Sequence, residues 1–410
     1  MSEQPNIVLV TVDSFRADHC SFMGYEHETT PALDVMAEEG AVFTNAIAPG
    51  PTTPESLPAT MTGTYPTGAG SGDELASTRT EIRDHVLAHD TLAEKLSRRG
   101  YATGAFTPNP WTSRYFGFDR GFDRFEDFMG DDLSSSIWSR MLEEGGSKAL
   151  AATRLVLSWM QRENVFKPWS AMYDDIVSWA QRAEKPYFLW VFLLDVHFPY
   201  LTGDTYRSQS RWREYEANLR LYLEDQHTPY SPRVHEQLVT AYDDSIRYTD
   251  AFFERLRSDV EDTVIVVHGD HGEAFGEHGT YTHQHQLYRE NIHVPLVVSG
   301  VPSRRIDRPI SLRAIPRLLT GIAETGAVPD IENPFVAART DETAAIDSGR
   351  VKYLRNGDGE ELYDIGRDEQ SQVSNDQLGA LCRGVLAQFD ASMAEQRTIG
   401  EAAREVVRER

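Results

Sequence analysis

Two short apolar runs far apart in the chain limit what it can fold into. Asn6-Ile-Val-Leu-Val-Thr-Val12 leads straight into Asp13, and Thr263-Val-Ile-Val-Val267 leads into His268-Gly-Asp270-His271-Gly-Glu273. Both are rich in β-branched residues and lack the polar alternation of a half-exposed strand. They read as strands buried on both faces, which points to a parallel sheet covered by helices on each side. In such a sheet the carboxyl ends of central strands open onto the ligand crevice. Asp13, Asp270 and His271 are therefore expected to converge on one divalent cation, with Mg²⁺, Mn²⁺, Ca²⁺ and Zn²⁺ all compatible with these donors.

The rest of the sequence alternates in the same way. Helical patterns at Pro31–Glu39, Thr91–Arg99 and Val234–Arg257 are interleaved with strand patterns at Ala41–Asn45, Tyr101–Thr107, Tyr187–Leu194 and His293–Ser299. The predicted fold class is α/β, with a large, mostly parallel central sheet flanked by helices on both faces. Residues 1–325 are expected to form this catalytic unit. Residues from about 131 to 184, with Trp138, Trp159, Trp169 and Trp179 at helical spacings, read as a helical insertion whose aromatics serve as core. Residues 326–410 read as a small α+β subdomain. It would contain a hairpin around Asn356-Gly-Asp-Gly359 and a terminal helix from Asp376 to about Glu395.

Charge narrows the possible partners. The chain carries 64 acidic and 40 basic residues, a net charge of −24, and only five of the cations are lysines. Such a surface repels nucleic acid and anionic membranes, because phosphate binding needs clustered cations. It suits a protein kept soluble at high salt, where self-repulsion is screened, and a halophilic setting is expected. No window reaches the ~18 apolar residues of a membrane span, and the first strand lacks the basic leader of a signal peptide. A cytoplasmic location is expected. Cys20 and Cys382 are too few and too distant for a disulfide framework or a thiolate metal site.

The candidate nucleophile is Thr53. In Gly50-Pro-Thr-Thr53-Pro-Glu-Ser56 it stands where a helix begins. There it can serve as a simple cap, or present its hydroxyl where backbone amides hold an anion. Beside a cation that hydroxyl would be acidified. His197 lies just beyond the 187–194 strand. His283 and His285, with His278, lie in the loop after the second ligand run. In so acidic a chain these histidines are candidate cations or proton donors for an anionic substrate.

Taken in order along the chain, these stretches resemble the sulfatase branch of the alkaline phosphatase superfamily. The matching landmarks include Asn6–Asp13 with Arg16-Ala-Asp-His19, Thr53–Gly63 with Tyr65-Pro66, and Gly117-Phe-Asp-Arg-Gly-Phe122. Further on come His197-Phe-Pro-Tyr200, Asp270-His-Gly-Glu273 with Gly276-Glu-His-Gly279, and Glu361-Leu-Tyr-Asp364. The resemblance implies a metal-dependent enzyme acting on sulfate, phosphate or phosphonate esters, with the nucleophile position on Thr53. It also implies substrate contacts from Arg16 and Asn109.

The departures from the family pattern are informative. Sulfatases carry Cys-x-Pro-x-Arg at the nucleophile and oxidise the cysteine to formylglycine, whereas here Thr53-Pro-Glu-Ser-Leu57 stands, so no formylglycine is expected. One strand-one carboxylate with an Asp-His pair is similar to phosphonate and phosphodiester hydrolases and to phosphoglycerol transferases. The expected substrate is a small anionic ester or a sulfated or phosphorylated glycan. Two other readings are a phospho-head-group transferase acting on a glycan or lipid, and a non-catalytic glycan-binding protein. A homo-oligomer is compatible with the sequence.

Overall fold

The computed structural model describes residues 4–66, 74–128, 166–224, 229–283, 286–331, 333–340, 343–357, 359–365 and 372–408. Trp138 and Trp159, and with them most of the expected helical insertion, lie outside these residues, as does His285.

The main sheet begins with β1 (Asn6–Val12), β2 (Ala41–Ile47), β3 (Ala102–Phe106), β4 (Arg124–Glu126), β5 (Tyr187–Leu193) and β6 (Thr263–Gly269). A small antiparallel ribbon follows β6, made of β7 (Ala274–Phe275) and β8 (Tyr281–Thr282). The sheet is then completed by β9 (His293–Ser299), β10 (Arg304–Ile306) and β11 (Ile310–Ser311). Its order is β10-β2-β9-β6-β1-β5-β3-β4, with β11 also paired to β2. Every pairing is parallel except those of β9, which runs antiparallel to both β2 and β6. The fold is thus α/β with a mostly parallel sheet.

β1 is fully buried and sits between β5 and β6, with Val12 opposite both Leu193 and Gly269. This register matters for function, because it ends three central strands at one level and brings Asp13, Asp195 and Asp270 to the same edge. The two faces of the sheet carry separate apolar cores. Leu9, Phe188 and Trp190 belong to one, and Val8, Val10 and Val191 to the other. The alternation of side chains along each strand places them on opposite sides.

The helix Tyr173–Arg182, at the end of the stretch read as an insertion, packs against β5 and leads into it. Its Trp179 ring lies over Gly104 of β3, where a Cβ would sit only 2.6 Å from the indole. Trp169 is buried among Tyr173, Tyr248 and Phe252, as expected of a core aromatic.

After the helix Ile315–Thr325 comes a second sheet of four antiparallel strands: β12 (Val336–Arg339), β13 (Ala344–Asp347), β14 (Val351–Asn356) and β15 (Gly359–Asp364). The terminal helix Asp376–Arg408 packs on β13 and continues well past Glu395.

Candidate active site

Asp13 follows β1 directly, and Ser14 after it adopts a left-handed conformation at φ 57°. That turn is held by the site itself. Ser14 N donates to Asp270 Oδ1 at 3.2 Å, and Ser14 Oγ donates to Asp13 Oδ1 at 3.0 Å. Asp270 and His271 follow β6, and the Asp270 amide donates to the Val12 carbonyl, extending the β1–β6 ladder into the site. Gly272 permits the loop to press against its neighbour, since a Cβ there would lie 2.0 Å from the Glu290 carbonyl oxygen.

Thr53 is the first residue of the helix Thr53–Thr62 and is 5% exposed. Thr52, not Thr53, is the N-cap residue, and no side-chain capping bond is made. The Thr53 hydroxyl turns instead to the two strand ends. Its Oγ1 lies 2.8 Å from Asp270 Oδ2, 3.4 Å from Asp13 Oδ2 and 3.4 Å from His271 Nε2. Ser56, one turn on, donates to the Asp270 carbonyl at 2.6 Å and ties the helix to the loop.

Asp13, Asp270 and His271 form the one metal-competent cluster among the described residues, with donor atoms all within 4.8 Å of one another. His271 Nδ1 lies 2.8 Å from the Gly272 carbonyl oxygen, which only accepts, so Nδ1 carries a hydrogen and Nε2 faces the carboxylates.

The electrostatics fit a cation at this point. Burial and the Asp13 charge push the Asp270 carboxyl up to about 7. Burial disfavours charge on His271 too, yet the carboxylates of Asp270 and Asp13 push it up to about 10. Burial would also raise Asp13, but His197, His271 and His283 hold it well below the usual carboxylate range. Two buried carboxylates that draw a proton onto a neighbouring imidazole are an arrangement a divalent ion relieves. The donor set of two carboxylates, one imidazole and one hydroxyl therefore fits a hard or borderline cation.

Other expected residues gather around this cluster. Asn109 Nδ2 donates to Asp13 Oδ2 at 2.9 Å, and its Oδ1 caps the short helix Pro110–Thr112 through Trp111 N. The His283 ring lies 4.7 Å from that of His271, and the His197 ring 5.1 Å from that of His283. Burial pushes the His197 imidazole down, partly offset by the Asp13 charge.

Arg16 is placed differently. Its guanidinium is bidentate to Asp18 at 2.9 and 2.7 Å and also donates to Glu277 and to the Glu273 carbonyl. Those partners take four of its five N–H donors, and the side chain braces the loop after β6. His278 also turns away, stacked on Tyr288 with ring centroids 3.5 Å apart.

Sequence reasoning passed over Glu273 as a site residue. This carboxylate is fully buried, 3.2 Å from His283 Nδ1, and accepts from Tyr200 OH at 2.8 Å. Both residues stood within quoted landmarks, two positions after His271 and three after His197. Only the fold shows that they orient one imidazole.

Residues 5–308 match the family described as Sulfatase. The chain is 26% identical to human arylsulfatase A over 234 residues, 51% of this chain and 45% of the relative. It is 22% identical to an ulvan-active sulfatase of Formosa agariphila over 366 residues, 80% of this chain and 63% of the relative. The chain thus spans about half the length of the curated relatives it matches. Among solved structures, the phosphonate monoester hydrolase of Agrobacterium radiobacter superposes with a TM-score of 0.66 at 18% identity, covering 96% of each chain. With the family description covering most of its length, this chain belongs to the sulfatase family.

Proposed function

We propose that the protein is a metal-dependent hydrolase of sulfate, phosphate or phosphonate esters that works through a covalent ester on Thr53. The observation that carries this reading is the Thr53 hydroxyl, buried and 2.8 Å from Asp270 beside Asp13 and His271. Asp13, Asp270, His271 and Thr53 Oγ1 would hold one divalent cation, which when bound neutralises the paired carboxylates and acidifies the hydroxyl.

Thr53 Oγ1 attacks sulfur or phosphorus in line as its proton passes to the Asp270 carboxylate. The bond to the leaving oxygen breaks, and His197 or His283 supplies the proton that oxygen takes up. Glu273 holds His283 by its Nδ1, and Asn109 fixes the Asp13 carboxylate. Water then attacks the covalent ester and gives its proton to the histidine that lost one, the Thr53–ester bond breaks, and Thr53 Oγ1 takes back the proton held on Asp270.

Phosphoester chemistry is the favoured form. A formylglycine hydrate expels sulfate by elimination, whereas a threonine ester has no second hydroxyl on the bearing carbon and must wait for water. The relatives named for sulfatase activity and the neighbour named for phosphonate monoester hydrolysis bracket this range. The test is a turnover panel of aryl sulfate, phosphate monoester, phosphodiester and phosphonate esters, with Mn²⁺, Mg²⁺, Ca²⁺ or Zn²⁺ in turn at high salt. Turnover in none of them, or full turnover by Thr53→Ala, would remove the proposal. An excess of an alcohol acceptor in the same assay separates hydrolysis from transfer.

A further inference from the structure

A second cleft lies at the far end of the helix that carries Thr53. The helix has ten residues, so at ~1.5 Å rise per residue its two ends are roughly 15 Å apart. The cleft, about 800 Å³, opens between the Thr62-Gly63 end of this helix, the start of the helix Ile315–Thr325, and the sheet and terminal helix of the C-terminal region. Its volume suits one or two ligand rings.

The lining is unusual for this molecule. In a chain with a net charge of −24, the cleft is lined by Lys95, Arg99, Arg313 and Arg317, with no carboxylate among the described lining residues. Some of these donors have partners. Lys95 Nζ donates to the Thr62 carbonyl at 2.7 Å, Arg99 pairs with Glu324 at 2.9 Å, and Arg317 donates to the Asp330 carbonyl at 3.1 Å. An ammonium has three N–H donors and a guanidinium five, so Lys95 and Arg317 keep capacity for a further acceptor. The Arg313 guanidinium stands 5.0 Å over the Tyr65 ring, with no carboxylate in ion-pair reach among the described residues. Tyr65 is itself packed edge-to-face on Phe389 at 5.2 Å, and Phe335 lines the same space.

We infer that this cleft is a second binding site, separate from the Thr53 centre, for a ring that bears a sulfate or phosphate group. The ring would lie against the aromatic wall, and the oxyanion would take charge-assisted hydrogen bonds from Arg313, Arg317 and Lys95. The inference does not rest on the ester-hydrolase reading, since none of these residues touches the metal cluster.

The test is calorimetric titration of the full chain with a trisulfated glucosamine–uronate disaccharide and, separately, with adenosine 5′-monophosphate. The two probes distinguish a glycan-borne sulfate from a nucleotide phosphate. Either probe should bind the native chain, and Arg313→Gln/Arg317→Gln should weaken that binding by about tenfold or more. Arg313→Glu alone should weaken it at least as far, and turnover of a small aryl ester should be unchanged in both variants. Both arginines are exposed, so thermal melts of the variants should match the native chain. Native-like binding of both probes by the double variant, or no binding of either by the native chain, would overturn the inference.

Discussion

Thr53 and Asp270 are 217 residues apart in sequence, yet the threonine hydroxyl lies 2.8 Å from the Asp270 carboxylate. Neither side chain does this alone. The parallel β1–β6 register sets the level of Asp270, and the Ser56 bond to the Asp270 carbonyl sets the helix that carries Thr53.

Replacing the hydroxyl tests its role directly. Thr53→Ala should lower kcat by about 10³-fold or more, while Thr53→Ser should stay within about tenfold of native, because only the first removes the attacking oxygen. Covalent labelling at position 53 by a slow ester, read by mass spectrometry, should vanish in the alanine form.

Chelation should lower both activity and thermal stability. Without a cation, Asp13 and Asp270 are two buried carboxylates bridged by the His271 imidazole and the Thr53 hydroxyl. Returning metal at about 100 times its Kd should restore ~2.7 kcal/mol, visible as a rise in Tm. Asp13→Asn should abolish that rise. A Tm indifferent to chelator would count against the cluster as a metal site.

Glu273→Gln should reduce kcat on the order of tenfold, with KM changed less. The buried carboxylate keeps His283 in place through Nδ1, and its loss leaves the imidazole unanchored. The pH profile of kcat should shift along with the rate. A variant that lost only stability, with an unchanged profile, would reduce Glu273 to a packing role.

Asp250 gives a stability prediction away from the site. It accepts from Ala32 N at 2.7 Å and Leu33 N at 3.0 Å, capping the helix Pro31–Glu39 from a distant element. Burial pushes its carboxyl up to about 7, although those two bonds favour the charged form. The folded state therefore holds a proton that the unfolded state has released, and stability falls as pH rises from about 4 to about 7. Asp250→Asn should flatten that part of the curve in denaturant titrations at fixed metal and salt. An unchanged slope would show that other buried carboxyls set it.

Raising KCl from about 0.1 M to about 2 M should increase Tm, because a net charge of −24 repels itself and salt screens it. A flat or falling Tm would remove the expectation of a halophilic setting.

Much of the fold was legible because buried strands announce themselves. β1, β5 and β6 are continuous apolar runs, and the long helix seen as Pro232–Asp259 was readable from its apolar spacing to within two residues at each end. The antiparallel run of β9 was not legible, since a fully buried strand has the same composition in either direction. The strands β12 and β13 were missed as well. They are four residues each, too short for periodicity to speak.

For the site, sequence alone determined the chemistry on offer: Asp13 ending one buried strand, Asp270-His271 ending another, and a threonine at a helix start. Local order fixes such features, because strand ends and helix starts are set by neighbouring residues. Tertiary structure decided which side chains meet. It turned Arg16 toward Asp18 and Glu277, brought Glu273 onto His283, and set the Tyr200 hydroxyl on Glu273. Contacts across such separations depend on register and packing between distant strands, and no local pattern carries that information.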